Sequence, residues 1–140
     1  MLLHLGAFVF IPGHNNGVAK IVSLDATSAC IEWFTSIARH KEKPLQQQVP
    51  LRRLKLAGPP LQTRCYVEMP DGTWGIGRIT REIAPSACGD GRIVWVKIGG
   101  EAEEYYPEAR VWVRLFVSPG SKIAARVTVY QGARISKRHR

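Results

Sequence analysis

The sequence contains two copies of one pattern, and this internal repeat constrains the fold more than any other feature. The segment AFVFIPGHNNGVAKIV (7–22) aligns without a gap with CYVEMPDGTWGIGRIT (65–80), at an offset of 58 residues. Two more segments match in the same order: IEWF (31–34) with IVWV (93–96), and VPLRRLKL (49–56) with YPEARVWV (106–113). Three collinear matches indicate a duplicated unit.

The alignment predicts which residues occupy equivalent places in the two copies. The predicted equivalent pairs are Phe8 and Tyr66, Val9 and Val67, Pro12 and Pro70, Gly17 and Gly75, Lys20 and Arg78, Ile21 and Ile79, Trp33 and Trp95, Pro50 and Pro107, and Arg53 and Arg110.

Each copy reads as a series of short strands. Ile93, Trp95 and Lys97 are predicted to face one side of a strand, and Val94, Val96 and Ile98 the other. Asp71-Gly72 is typical of a tight turn. Gly75 and Gly77 would weaken an ordinary strand, but they suit one that bends sharply or lets another backbone come close. A copy of about 55 residues closes its sheet edges most economically as a five-stranded barrel. We therefore predict an all-β chain with two small five-stranded barrels.

The predicted organisation has four parts. The first barrel spans 1–57, a stiff Pro/Gly linker spans 58–62, and the second barrel spans 63–116. Residues 117–140 form a basic C-terminal extension, in which alternation from Ile123 to Val129 permits one more strand. Barrels this small are marginal alone, so we expect the pair to support each other in a fixed or semi-fixed arrangement.

The formal net charge of +9 favours an acidic partner, and it is unevenly distributed. Residues 1–60 carry a balance of +4, residues 61–116 one of −1, and residues 117–140 one of +6. Lys and Arg neutralise phosphates without reading base sequence. The candidate nucleic-acid-binding residues are Arg39, Lys41, Lys43, Arg52, Arg53, Lys55, Arg134, Lys137, Arg138 and Arg140. The alternative is a solvated charged surface with a frayed tail.

The paired motifs carry a family resemblance. GAFV…GVAKIV…IEWF…VPLRRL and CYV…GIGRIT…IVWV…YPEARV resemble tandem Tudor/KOW-type, Src-homology-3-like barrels over about residues 5–116. The arrangement resembles the N-terminal region of bacterial RapA-type SWI/SNF-family ATPases, which are helicase-like proteins associated with RNA polymerase. The resemblance implies barrels that bind DNA or other nucleic acid, or partner proteins, and that guide an attached motor.

The aromatic residues divide into core and candidate binding residues. Trp33 and Trp95, in mid-strand, are predicted core residues. Trp74 lies at a turn, and with Tyr66, Tyr105 and Tyr106 it forms a candidate aromatic cage, because ring faces attract cations. The resemblance implies that such a cage reads methylated lysine or arginine. The alternative is ordinary barrel packing, with an exposed Trp touching a partner or the other barrel.

Catalytic and metal-binding patterns are absent from the sequence. No Gly-x-x-x-x-Gly-Lys-Ser/Thr loop occurs, so any ATPase activity would reside in a C-terminal part or a separate subunit. The three cysteines form no CxxC pair, and the four histidines have no metal-ligand spacing. We expect no cofactor and no metal. The odd cysteine count favours a reduced, cytoplasmic protein, and no segment reaches transmembrane length.

These observations predict a non-catalytic interaction module. Nucleic-acid binding, duplex or single-stranded, is the first hypothesis. Docking onto a protein, either the chain's own ATPase lobes, a polymerase or another subunit, is the second. An aromatic-cage reader of methylated residues is the third.

Overall fold

The structure is a computed structural model that describes residues 2–14, 17–87 and 91–115. Its strands are β1 Phe8–Phe10, β2 Ala19–Leu24, β3 Ser28–Trp33, β4 Leu45–Pro50, β5 Lys55–Leu56, β6 Arg64–Glu68, β7 Trp74–Ile79, β8 Ala84–Pro85, β9 Arg92–Ile98, β10 Glu104–Pro107 and β11 Val111–Val113. One α-helix, α1 Ile37–Glu42, precedes β4, and 3₁₀ helices cover Leu51–Arg53 and Glu108–Arg110. The chain is therefore mostly β, as predicted.

The strands form two sheets with one shared order. The first sheet runs β4-β3-β2-β1-β5, and the second runs β10-β9-β7-β6-β11 with β8 added beside β9. In both, a 3₁₀ helix leads into a last short strand that returns to pair with the first strand of its sheet. The two prolines predicted to be equivalent, Pro50 and Pro107, each precede that 3₁₀ helix. The sheets therefore confirm the duplicated pattern.

Strand pairing corrects the register of the first strands. Ile21 and Ile79 are equivalent, as predicted, because Gly6 N–H donates to Ile21 O at 2.9 Å and Gln62 N–H donates to Ile79 O at 2.7 Å. Gly6 and Gln62 also share left-handed backbone, with φ of 81° and 71°. Equivalent residues are thus 56 positions apart in the first strands of the two sheets, β1 and β6, and 58 positions apart in the second strands, β2 and β7. The predicted match of Val9 with Val67 is wrong by two residues, because the β1–β2 and β6–β7 turns differ in length.

The predicted equivalence of Trp33 and Trp95 is also wrong. Ile31 pairs with Ile21, and Val96 pairs with Ile79, so Ile31 corresponds to Val96. Trp33 is 1% exposed and fills the first core, whereas Trp95 is only half-buried on the outer face between buried Val94 and Val96. The two tryptophans were matched because both lie in mid-strand. Side chains alternate in direction along a strand, so this match placed an inward-facing residue on an outward-facing one.

The glycine predictions hold in part. Gly77 lies within β7, where an added Cβ would collide with the main-chain oxygen of Lys97, so it allows the close backbone approach that the sequence predicted. Gly72 has φ of 88° and donates its N–H to Met69 O, which confirms the turn at Asp71-Gly72. Gly17 lies before β2 with φ of 78°, so it is a turn residue and not a strand bend.

The two halves pack directly on each other. Phe8 of β1 belongs to the hydrophobic core of the second sheet, and Leu115 belongs to that of the first. Leu115 N–H donates to Phe34 O at 2.7 Å, beside a parallel bridge between Phe34 and Arg114. This packing agrees with a fixed pair, while the domain boundaries at 57 and 63 remain a prediction. The predicted extension over 117–140 lies outside the described residues.

Candidate nucleic-acid interface

Helix α1 presents the first group of predicted basic residues. Ser36 caps the helix, because its Oγ accepts a hydrogen bond from Arg39 N–H at 3.1 Å. Lys43 N–H closes the last turn on Arg39 O, and Pro44 follows. Lys41 on this helix and Lys43 at its C-terminal cap are exposed. Ser36 and Pro44 are the sequence signals that mark the two ends of this short helix.

The second group, Arg52, Arg53 and Lys55, follows strand β4. Leu51 N–H donates to Thr27 O at 3.0 Å, and Leu54 is buried in the first core, so this segment is fixed in place. Arg52, Arg53 and Lys55 are consequently exposed. Arg53 Nη2 approaches Nε2 of His14 at 3.4 Å.

The acidic residues of the first half are largely engaged elsewhere. Asp25 Oδ1 accepts the N–H groups of Thr27 and Ser28 in its own turn, and these bonds lower the pKa of Asp25 below its usual range. Glu32 is 4% exposed and binds His40. Within the described part of the chain, Lys41, Lys43, Arg52 and Lys55 form no ion pair. These four cations therefore face solvent, and Lys41 and Lys43 have one exposed acid, Glu42, between them in sequence.

In the second half, two arginines are paired with glutamates. Arg81 donates hydrogen bonds from Nε and Nη2 to the Glu103 carboxylate at 3.1 and 2.9 Å. Its Cζ lies 4.1 Å from the centroid of the Trp95 ring. Arg92 holds Glu108 through the same two groups, at 3.0 and 2.6 Å. The remaining predicted basic residues, Arg134, Lys137, Arg138 and Arg140, lie outside the described residues.

The four predicted cage residues do not surround one common site. Tyr66 and Trp74 both contact Phe34, with ring centroids 5.1 and 5.9 Å away. Tyr105 is 61% exposed and pairs with Trp95 at 5.3 Å. Tyr106 packs against the second core. Tyr66 and Trp74 thus belong to a cluster between the halves, and Tyr105 belongs to the outer surface of β9 and β10.

That inter-half cluster already contains a basic group, His40. Its ring lies 4.5 Å from Trp112 and 5.6 Å from Trp74. Nδ1–H donates to Glu32 Oε2 at 2.6 Å, and Nε2 lies 3.8 Å from Glu68 Oε1. The hydrogen bond to Glu32 raises the pKa of His40 above its ordinary value despite burial. Sequence alone missed this role, since Glu32, Glu68 and Trp112 are distant along the chain.

A buried ionic group joins the halves beneath this cluster. Glu108, 2% exposed, accepts Phe8 N–H at 2.7 Å in addition to Arg92, and His4 Nε2 lies 3.1 Å from it. Burial opposes its charge, yet the bonds from Arg92 and Phe8 hold the pKa of Glu108 below its usual range. Lys20 Nζ donates to Gly6 O and Glu108 O, both at 2.7 Å. Burial lowers the pKa of Lys20 to about 7, against the opposing effect of Glu108.

The described residues contain no group of three His, Cys, Asp or Glu side chains able to hold a metal ion. Cys65 is buried, and burial raises the pKa of its thiol to about 12, which makes it a poor nucleophile. Cys30 is half-buried and its pKa is also raised by burial, while Cys88 lies outside the described residues. Among the described helices, none has the length and apolar character needed to cross a membrane.

Comparison with known proteins gives little further information. No protein-family model matches the chain, and no curated protein matches it. A solved structure, the crystal structure of ADCP1 tandem Agenet domain 3-4, matches over 81% of this chain and 81% of its own, with 13% identity and a TM-score of 0.32. A TM-score this low supports no conclusion about fold or function.

Proposed function

We propose that this chain is a non-catalytic interaction module that binds nucleic acid through exposed cations of its first half. These first-half cations are Lys41, Lys43, Arg52, Arg53 and Lys55. The observation that carries the proposal is their lack of acidic partners within the described residues, while Glu32 and Asp25 are committed to internal bonds. Uncompensated lysines and arginines bind phosphate backbones and release counterions.

The spacing of the first-half cations supports a backbone track. Lys41 and Lys43 precede strand β4, and Arg52, Arg53 and Lys55 follow it. A strand of six residues spans about 20 Å, so the two groups lie roughly six nucleotide steps apart at 3.4 Å per step. Strand β4 is a sheet edge, and its exposed Gln46 and Gln48 carry no charge that would repel phosphates.

The finer architecture belongs to the same proposal. Two sheets of identical order, each with its last strand returning to its first, support a pair of Tudor-like barrels. The sequence resemblance to RapA-type proteins supports a role in guiding an attached or partner SWI/SNF-type ATPase. In that role, the first-half cations hold the nucleic acid on which the motor acts.

Protein docking is a second candidate, favoured by a cavity at the linker. The cavity measures about 280 Å³ and is lined by Gly58, Pro59, Pro60, Leu61, Glu82, Ile83 and Arg92. Leu61 is 51% exposed there. In this second candidate function, an apolar side chain of the partner packs into the cavity against Leu61 and Ile83.

The test is charge reversal with a matched control. We expect Arg52→Glu, Arg53→Glu and Lys55→Glu together to weaken binding of labelled duplex and single-stranded DNA at least about tenfold in fluorescence anisotropy, because phosphate contacts are lost. The control reverses three exposed cations of the second half, Arg64, Arg78 and Lys97, and so changes the net charge equally. Equal losses in the two variants, or none in the first, would contradict the proposal.

A further inference from the structure

Three exposed cations form a row across the outer face of the second sheet. Arg64 on β6 lies opposite Arg78 on β7, and Arg78 lies opposite Lys97 on β9. All three side chains are exposed. Like charges directly opposite each other on neighbouring strands destabilise a sheet, so the row is kept at a cost to folding. We call these residues the cation row.

The first sheet has an equivalent row, and there it is buried. Phe8 lies opposite Lys20, and Lys20 lies opposite Glu32. These three residues are 1%, 2% and 4% exposed. The equivalence extends to a hydrogen bond: Lys20 Nζ donates to Gly6 O, and Arg78 Nη1 donates to the matching Gln62 O at 3.0 Å.

The first row is covered by the 3₁₀ segment of the second half that contains Glu108. Phe8 N–H donates to the carboxylate of Glu108, and Lys20 Nζ donates to the main-chain oxygen of the same residue. Glu108 begins the 3₁₀ helix that precedes β11. One outer sheet face of this repeat therefore already packs against a short segment, which it binds through the Phe8 main-chain N–H and the Lys20 ammonium group.

We propose that the cation row is a docking surface for an acidic segment of a partner protein, held as the first half holds Glu108. The charge of the row fits such a segment. Glu103 is close enough for Lys97 to help lower its pKa, but Glu103 is itself paired with Arg81 at 2.9 Å. The row thus keeps an excess of positive charge for a partner's carboxylates.

A second copy of this chain does not supply the same segment. Its Glu108 is 2% exposed and is held by Arg92 within its own fold. The Glu108 segment of a second copy is therefore not the occupant, which we assign to a partner protein with an accessible acidic turn. The cation row is separate from the first-half cations, so this proposal can be tested independently of nucleic-acid binding by the first half.

The test uses a peptide made from the segment that covers the first row. The probe is residues 106–112 (YPEARVW) carrying Arg110→Glu, and the control peptide carries Glu108→Gln and Arg110→Gln. Each is titrated into the ¹⁵N-labelled full chain and followed by NMR. We expect the acidic peptide to shift the amides of Arg64, Arg78 and Lys97, and the control peptide to shift them at least fivefold less.

Variants of the chain complete the test. Arg78→Glu and, separately, Lys97→Glu should abolish the shifts while the spectrum stays folded, and Arg53→Glu should leave them unchanged. The proposal is overturned if the acidic peptide shifts nothing, if it shifts the first-half cations instead, or if the control peptide binds equally well. It is also overturned if single-stranded or duplex DNA shifts the cation row and the peptide does not.

Discussion

The buried carboxylate of Glu108 offers the sharpest test of what the buried ionic group contributes to stability. Glu108→Gln preserves the shape of the side chain and removes its charge. In the wild type, two oxygens accept Arg92 Nε, Arg92 Nη2 and Phe8 N–H at 3.0, 2.6 and 2.7 Å. A glutamine amide has one acceptor oxygen, so at least one of these donors loses its partner.

The size of the effect follows from burial. Glu108 is 2% exposed and Arg92 is 12% exposed, so the variant leaves a largely buried guanidinium without its counter-charge. Removing one partner of a buried ion pair costs about 3–5 kcal/mol, against a total stability of about 5–15 kcal/mol for a typical domain. We therefore expect a free energy of unfolding lower by about 3–5 kcal/mol.

Urea unfolding followed by tryptophan fluorescence measures this loss. The matched control is Glu103→Gln, since Glu103 pairs with Arg81 through the same two guanidinium groups but in solvent. Exposed pairs of this kind contribute little to stability. If both variants lose the same free energy, the buried Glu108 group stabilises the fold no more than an exposed ion pair, and the reasoning is refuted.

Three further predictions concern titration and packing. Because the pKa of His40 is raised in the folded state, the stabilisation from protonated His40 is complete below about pH 6.5 and is lost as pH rises through the folded-state pKa. His40→Gln should flatten this decrease in the free energy of unfolding, measured by urea unfolding at several pH values, and an unchanged slope would contradict the assignment. Because the pKa of Lys20 is lowered to about 7, the free energy of unfolding should increase between about pH 7 and pH 10.5. Lys20→Met should remove this increase, and an increase that persists in the variant would exclude Lys20 as its source. Gly77→Ala should destabilise the fold by about 1–3 kcal/mol, because its methyl meets the Lys97 backbone, whereas Gly100→Ala, which meets nothing within 4 Å, should be nearly neutral in thermal unfolding; equal melting temperatures would refute the close contact.

Sequence periodicity predicted much of the sheet architecture. Alternation, the Asp71-Gly72 turn and the matching prolines were sufficient to identify a repeated β unit, because they are local signals. The register errors arose where the copies differ in turn length. An ungapped alignment cannot show that Val9 is displaced by two residues, or that Trp95 points outward while Trp33 points inward.

The inter-half contacts were beyond prediction from one sequence. Lys20 and Arg78 occupy equivalent places and have similar chemistry, yet one is buried and the other exposed. The burial differs because the segment containing Glu108 packs over Lys20 and leaves Arg78 exposed. No local sequence pattern encodes that packing. The cation row was missed for the same reason: its members lie far apart in a half whose charge balance is −1.

The central claim is that the first-half cations hold nucleic-acid phosphates, and a salt titration tests it most directly. Binding of a labelled duplex is measured by anisotropy at several salt concentrations for the wild type and for Arg52→Glu, Arg53→Glu, Lys55→Glu. Log affinity should fall linearly with log salt, and the slope of the triple variant should be smaller by up to about 2.7, at about 0.9 per lost phosphate contact. Identical slopes would show that these residues touch no phosphate.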